Sequence, residues 1–324
     1  MATSGSNDFI ISTKDLIQDA YELCGSIGDG QVPTTAQFQK ALRTLNMMTK
    51  TWQAKGLNLF AVDEVFLFLR QGQRKYNLTA TTADHFTTTF SETTTAAAAL
   101  AAATSIVLTD STGIADGDFI GVKTDAGEIL HWTTVADASG APTIELTDAL
   151  PADVSSGVTV YFYTAKASRP MKVMECYTTR FSGVGEGTDV PCRVMGRVDY
   201  GELANKNSSG VVNQVYQSPL VGDFELFVWP VTDSERDYLR MYVQRTLQDF
   251  DCLPNTPDYP QEWYMPLVYN LALSLAPKEG TPPRIYNEIK ELAALYFDMA
   301  EGFDEENESS IFFRPDSWGN ETYR

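Results

Sequence analysis

Residues 211–243, VVNQVYQSPLVGDFELFVWPVTDSERDYLRMYV, contain three apolar runs that decide the expected fold. The runs are residues 211–216, 224–229 and 238–243. They are rich in β-branched and aromatic residues, which is typical of strands. Pro230 ends the second run, and the sequence Asp-Ser-Glu at 233–235 is typical of a turn. The segment therefore predicts three consecutive strands that pair as an antiparallel β-meander.

Two helices are predicted before this segment. Ser12 is placed to cap the first, and apolar residues recur after it at three- and four-residue intervals. Thr34 and Gln37 form a capping-box pattern at the start of the second, which is expected to end at Gly56. Further strands are predicted over residues 62–69, 171–177 and 190–195.

Two more helices are predicted after the meander. The third helix places four large residues on one face, although Pro266 should kink it or move its start. These residues are Trp263, Leu267, Leu271 and Leu275. The fourth helix follows Pro282 and Pro283 and carries apolar residues at core spacing. These are Ile285, Ile289, Leu292, Tyr296 and Met299.

A segment of different composition interrupts these patterns. Of the 26 residues from 79 to 104, 19 are Thr or Ala, which indicates a linker with some strand edges. Residues 105–164 then contain five short β-runs separated by turn signals, a pattern typical of a small all-β barrel or sandwich.

Together these patterns predict an α+β fold with a helical core of about four helices, an antiparallel β-meander and an inserted small all-β domain. The core is expected to be discontinuous, from residues 1–78 and 165–302. Residues 79–164 form the inserted β-domain with its Ala/Thr-rich leader, and residues 303–324 form a C-terminal tail.

Composition excludes several classes of function. The formal net charge is -19, which disfavours a free-standing nucleic-acid binder because phosphate affinity comes mainly from Lys and Arg. We expect no secretory signal and no membrane-spanning helix, because no apolar stretch has the required length. The four cysteines are widely separated, which predicts no disulfide framework or zinc site and a reducing cytosol. With only two histidines, we expect no catalytic site, metal or cofactor.

Three groups of residues resemble chemical sites, but their surroundings favour ordinary structural roles. The glycine-rich run at 183–187 lacks the Lys-Ser/Thr of a phosphate loop. His131 beside Trp132 and Glu128 could be a general base, but its apolar neighbours favour an ordinary strand residue. An uncompensated acidic cluster is interpreted as a solvated helix end. Its members are Asp298, Glu301, Asp304, Glu305, Glu306 and Glu308.

The C-terminal tail is the predicted partner-binding site. Its large apolar side chains lie in a segment with Pro315, Gly319 and no helical or strand periodicity, so they cannot form a core of their own. Aromatic residues interleaved with arginines are typical of interface anchors. The candidates for binding another protein chain are Ile311, Phe312, Phe313, Arg314, Trp318 and Tyr323.

Three stretches, in this order, resemble a known family. They are LNMMTKTWQAKGLNLFA at 45–61, LFVWPV at 226–231 and YMPLVYNLALSLAP at 264–277. The chain resembles the head-to-tail adaptors of short-tailed bacteriophages, the packaged-DNA stabilisation proteins, over roughly residues 9–78 and 165–300. The inserted β-domain departs from compact members of the family.

The resemblance implies a structural virion protein rather than an enzyme. It implies a homo-oligomeric ring, a dodecamer, that is assembled in the host cytoplasm and lies under the portal protein ring at the head–tail junction. Such a ring extends the channel through which packaged double-stranded DNA passes without sequence-specific binding. It retains the genome until ejection and provides the platform for the tail nozzle or other tail proteins.

The residues leave two alternative functions open. A virion-associated cell-wall hydrolase would need paired carboxylates in a cleft, and incubation with peptidoglycan tests it. A glycan-binding module that aids genome delivery could use Trp132, Tyr161 and Tyr163 of the inserted domain to stack on sugars, although these are more often strand core.

Overall fold

The computed structural model describes residues 5–6, 8–28, 30–55, 59–79, 84–127, 129–180, 187–235 and 237–304. The chain divides into two compact units, one drawn from residues 1–60 and 247–324 and the other from residues 61–246. The described helices are α1 (Thr13–Leu23), α2 (Thr35–Ala54), α3 (Arg197–Glu202), α4 (Tyr264–Glu279) and α5 (Pro283–Phe303). Among them, none combines the length and the apolar composition that a bilayer crossing requires.

Helices α1, α2, α4 and α5 make up the first unit. The predicted starts of α1, α2 and α5 are confirmed, whereas Trp263 precedes α4. The Ser12 side chain accepts a hydrogen bond from the Asp15 N–H, and Thr34 and Gln37 form the complete capping box. Pro266 lies in the first turn of α4, where its missing N–H costs no helical hydrogen bond. The predicted face of α4 is buried, with Leu267, Leu271 and Leu275 fully enclosed.

A loop that follows the second unit along the chain is anchored to α1 and α2. The Thr13 N–H and hydroxyl both donate to the Asn255 carbonyl, at 2.8 and 2.7 Å, which satisfies the N-terminus of α1. The Asn46 side chain of α2 exchanges two hydrogen bonds with the Phe250 backbone, at 2.9 and 3.1 Å. These bonds tie the loop to the helices through polar groups that are distant in sequence.

The second unit is built on strands. They are β1 (Val62–Phe68), β2 (Lys75–Asn77), β3 (Phe86–Thr87), β4 (Ser91–Thr94), β5 (Ser105–Val107), β6 (Phe119–Lys123), β7 (Leu130–Asp137), β8 (Thr143–Leu146), β9 (Thr159–Tyr163), β10 (Pro170–Arg180), β11 (Thr188–Met195), β12 (Gln214–Pro219), β13 (Phe224–Trp229) and β14 (Tyr238–Arg245). The predicted strand segments are confirmed as strands, with shifts of a few residues at their ends.

Eight of these strands form one sheet in the order β2-β13-β12-β11-β10-β14-β1-β3. The predicted three-strand meander is wrong. Strands β12 and β13 do pair antiparallel, but β14 lies between β10 and β1. Strand β12 instead pairs parallel to β11. Each pairing buries alternate side chains in one core, so the partner of a strand is set by packing and not by its position in the sequence.

The predicted fold class is also wrong. The protein is mostly β, with sheets of eight and six strands, rather than a helical core that carries a meander. The helices of the first unit bury their apolar faces among themselves, whereas the long strands bury theirs within the sheets. Strand segments far apart in the sequence join the eight-stranded sheet, which local patterns do not reveal.

The six-stranded sheet has the order β4-β9-β6-β7-β8-β5. Hydrogen bonds from Ala96 N to Val107 O and from Thr109 N to Thr94 O, each 2.8 Å, join the ends of β4 and β5, so the sheet closes on itself. Its interior is filled by aliphatic residues such as Ile120, Val122 and Ile144. The predicted division of the chain at residues 79 and 164 falls inside the second unit.

Aromatic side chains pack between the two sheets. We call this cluster, which also contains Leu130, the aromatic junction. Its aromatic members are Phe68, Phe90, Phe119, Trp132, Tyr161, Tyr163 and Tyr238. Phe68 comes from the eight-stranded sheet and contacts Tyr161 and Trp132 of the other sheet, with ring centroids 5.2 and 4.9 Å apart. Beside the junction, the buried Glu235 carboxylate accepts hydrogen bonds from the Gln71 and Leu130 N–H groups, at 3.0 and 2.7 Å.

Candidate partner-binding surface

The residues predicted to bind a partner lie outside the described residues. They are Ile311, Phe312, Phe313, Arg314, Trp318 and Tyr323, and the structure describes the chain only as far as Asp304. Helix α5 ends at Phe303, and Asp304 caps it by donating its N–H to the Ala300 and Glu301 carbonyls. The described surface nearest in sequence to the predicted site is therefore the C-terminal half of α5.

One face of α5 is covered by the first unit. Ala293 and Ala300 are buried, and the Ala293 carbonyl accepts a hydrogen bond from the Asn270 side chain of α4. The ring of Phe297 packs against Trp52 of α2, with centroids 5.0 Å apart, and Tyr296 packs against Tyr269 of α4 at 4.9 Å. Small residues on this face allow α5 to approach its neighbours closely.

The opposite face carries an apolar stripe that no described residue covers. It consists of Leu295, Met299 and Phe303, whose exposures are 52%, 64% and 70%. A spacing of four residues places them one above another along the helix. The stripe was missed because Met299 was predicted to lie in the core. Ala300 points inward instead, and Met299 is rotated from it by about 100° around the helix axis.

The stripe has an acidic flank. Glu291 and Asp298 are exposed and seven residues apart, so they follow one edge of the stripe. Of the predicted acidic cluster, Asp304 is buried at the helix end, Glu301 is half-buried, and Glu305, Glu306 and Glu308 lie outside the described residues. A partner for this surface would need an apolar socket with basic groups along one side.

The residues considered for sugar stacking are held in the aromatic junction. Tyr161 and Tyr163 are each only 3% exposed, and Trp132 is half-buried. The Tyr163 ring stacks on Phe119 with centroids 5.0 Å apart, and Trp132 stacks on His85 at 4.0 Å. Their faces are therefore occupied by other side chains of this unit and do not form a sugar platform.

The two histidines occupy different environments. His131 is half-buried on β7, its Nε2 has no hydrogen-bond partner among the described residues, and Glu128 lies outside them. His85 is buried, and its Nδ1 lies 2.7 Å from the Tyr163 hydroxyl. Burial, helped by the cations Arg70 and Lys166, lowers the pKa of His85 to about 3. His85 is thus a neutral, packed side chain at pH 7, a property that its sequence context did not indicate.

The glycine-rich run and possible metal-binding clusters are the remaining candidate sites. Of the glycine-rich run at 183–187, only Gly187 is described. Within the described residues, no group of three or more His, Cys, Asp or Glu side chains is arranged to hold a metal ion.

No protein-family model matches the chain. A search of the curated proteins likewise finds no match.

Proposed function

We propose that this protein is a structural head-to-tail connector of a tailed phage virion. In this proposal, copies of the chain form a ring under the portal, extend the DNA channel, retain the packaged genome and provide the attachment platform for the tail. The sequence motifs of α2, β13 and α4 that resemble the adaptor family support the proposal. The structural observation that carries it is the uncovered apolar stripe of α5.

The stripe supports a protein contact on physical grounds. Leu295, Met299 and Phe303 present adjacent large apolar side chains to solvent, an arrangement that favours association with another surface. The stripe leads directly into residues 305–324, which contain the predicted anchors Phe312, Phe313 and Trp318. The stripe and the tail would together form one continuous contact with the portal or a neighbouring subunit.

The charge of the chain suits a DNA conduit. Each copy carries -19, so a ring repels the phosphate backbone rather than holding it. DNA could then pass during ejection without being retarded by many basic contacts. Attachment to the portal would rest on apolar and aromatic contacts, which a net negative charge does not abolish.

The proposal is tested with purified portal rings. A chain truncated after Asp304 keeps all of α5, and we expect it to lose co-sedimentation with the portal. The double variant Met299→Gln, Phe303→Gln in the full chain should weaken binding at least tenfold, since truncation of an anchor at an interface hot spot costs about 2 kcal/mol or more.

A matched control uses the same helix. Lys290→Gln with Ala294→Gln changes two exposed positions away from the stripe and should leave portal binding unchanged. Far-UV circular dichroism should show the same helix content in all three proteins. Wild-type portal binding by both the truncated chain and the stripe variant would overturn the proposed contact.

A further inference from the structure

Two cysteines that are sixteen positions apart in the sequence lie directly opposite each other in the eight-stranded sheet. Strands β10 and β11 pair antiparallel, and Cys176 is the register partner of Cys192. The sequence does not predict this thiol pair, because the two cysteines do not form a Cys-x-x-Cys motif. The hairpin brings them together.

The register alone gives a geometry suited to a disulfide. Directly opposed residues of an antiparallel pair have Cα atoms about 4.5–5.5 Å apart, within the roughly 4.4–6.8 Å that disulfides span. Opposed residues also project to the same face of the sheet. Cys176 is 3% exposed and Cys192 is 9% exposed, so Cys192 is the more accessible residue of the two.

Polar neighbours surround the sulfur of Cys192. The Thr178 hydroxyl lies 3.0 Å from it, and the Val212 carbonyl lies 3.3 Å from it. Hydrogen bonds from Cys176 and Thr178 lower the pKa of the Cys192 thiol, whereas the hydrogen bond to Cys192 and burial raise the pKa of Cys176. Cys192 is thus the more acidic of the two thiols.

We propose that Cys176 and Cys192 form a redox-active dithiol that a hydroperoxide closes to a cross-strand disulfide. Cys192 is the nucleophilic sulfur and Cys176 is the resolving thiol. The other two cysteines differ in setting: the Cys24 thiol is buried and donates to the Ala272 carbonyl, and Cys252 is exposed.

The reaction balances in two steps. The Cys192 thiolate attacks one oxygen of hydrogen peroxide, the O–O bond breaks, and the departing hydroxide takes a proton to become water, which leaves a sulfenic acid. The Cys176 sulfur then attacks the Cys192 sulfur, the S–S bond forms, and the sulfenic oxygen leaves as a second water with the Cys176 proton. Two thiols and one peroxide give one disulfide and two waters.

The timing of closure rests on the proposed function. A virion protein is folded and assembled in a reducing cytoplasm, where the dithiol stays reduced. After release the particle meets oxidants, and closure would then lock the hairpin of β10 and β11. A closed loop in this hairpin removes conformations from the unfolded chain, so the oxidised protein should melt at a higher temperature than the reduced one.

The test uses the full chain and peptide mapping. Reduced protein is treated with hydrogen peroxide, unfolded and alkylated with N-ethylmaleimide. We expect loss of two of the four thiols and full recovery with dithiothreitol. Trypsin cuts after Lys172, Arg180 and Arg193, so peptides 173–180 and 181–193 should appear joined only without reductant.

Two variants separate the roles of the sulfurs. Cys176→Ser should leave Cys192 as a sulfenic acid that dimedone labels, with no joined peptide. Cys252→Ser is the matched control and should still lose two thiols. Four titratable thiols after peroxide, or oxidation of Cys252 or Cys24 without the joined peptide, would overturn the proposal.

The outcome of peptide mapping does not depend on whether the protein binds the portal. If the joined peptide forms and the portal does not bind, the dithiol stands and the connector function fails. The timing of disulfide closure is tested on virus particles. One sample is alkylated at cell lysis and a second after purification, and the joined peptide is expected only in the second.

Discussion

At the residue scale, His85 illustrates how enclosure changes the protonation of a side chain. Its ring is stacked on Trp132, with centroids 4.0 Å apart, and hydrogen-bonded to the Tyr163 hydroxyl. A positive charge on the ring would therefore lose most of its hydration. Arg70 and Lys166 disfavour that charge further. In the unfolded chain the same imidazole is free to take a proton near its ordinary pKa of about 6.5.

This difference predicts a loss of stability in mild acid. The folded-state pKa is depressed to about 3, so between pH 6.5 and 3 the unfolded chain binds the extra proton and folding weakens as the pH falls. From pH 7 to 5, wild-type protein should lose about 2 kcal/mol more unfolding free energy than His85→Gln. Urea titrations at both pH values measure the difference. An equal loss in His85→Gln would contradict the prediction.

Gly121 is a second residue whose role is set by a close neighbour. It is the cross-strand partner of Trp132, and a Cβ atom at position 121 would lie 2.8 Å from the indole ring. We therefore expect Gly121→Ala to displace Trp132 and lower the unfolding free energy by about 1–3 kcal/mol. Gly201→Ala, at an open position in α3, is the control and should not destabilise. Chemical denaturation of both variants is the measurement, and equal stabilities would refute the steric argument.

At the element scale, residues 88–163 cover aromatic side chains of the eight-stranded sheet. Phe90 packs edge-on against Phe66 and Phe68, with centroids 5.0 and 5.2 Å apart. Replacement of residues 88–163 by a short Gly/Ser linker would remove Phe90 and expose the rings of Phe66 and Phe68. We expect the shortened chain to lose about 4 kcal/mol of unfolding free energy, since each buried aromatic contributes roughly 1.5–3 kcal/mol.

The control for this deletion adds Phe66→Thr and Phe68→Thr to the shortened chain. Polar β-branched residues suit an exposed sheet face, so this version should be more soluble than the simple deletion. Sedimentation and denaturant unfolding compare the two. Wild-type stability of the simple deletion would mean that the inserted segment is an independent domain, as the sequence pattern predicts.

At the scale of the whole molecule, the net charge of -19 opposes association of the free chain. We expect a monomer in about 10 mM salt, where the Debye length is about 30 Å. Portal rings should induce assembly because their contacts offset the repulsion. Sedimentation velocity with and without portal measures this. A stable ring formed alone at low salt would contradict the charge argument and leave the stripe contact untouched.

Local patterns gave the elements and part of the candidate site. The Thr34 capping box and the buried face of α4 depend on residues within one or two helical turns of each other. Such short spacings can be identified directly in the sequence. The stripe of α5 could not be predicted from its apolar spacing, because that spacing alone does not say which apolar face of the helix meets a neighbour. Ala300 is buried and Met299 is exposed because α5 turns the face that carries Ala293 and Phe297 toward α4 and α2.

The sequence by itself determined the approximate positions of the four long helices and of most strands, the net charge and the aromatic content of the tail. Only the tertiary structure decided which strands pair. Val62 meets Gln244, and Cys176 meets Cys192, because hydrogen-bonded registers join positions that share no local signal. A strand carries the same alternating pattern whichever neighbour it has. Its partner is therefore chosen by the fit of whole apolar faces, which exists only in the folded chain.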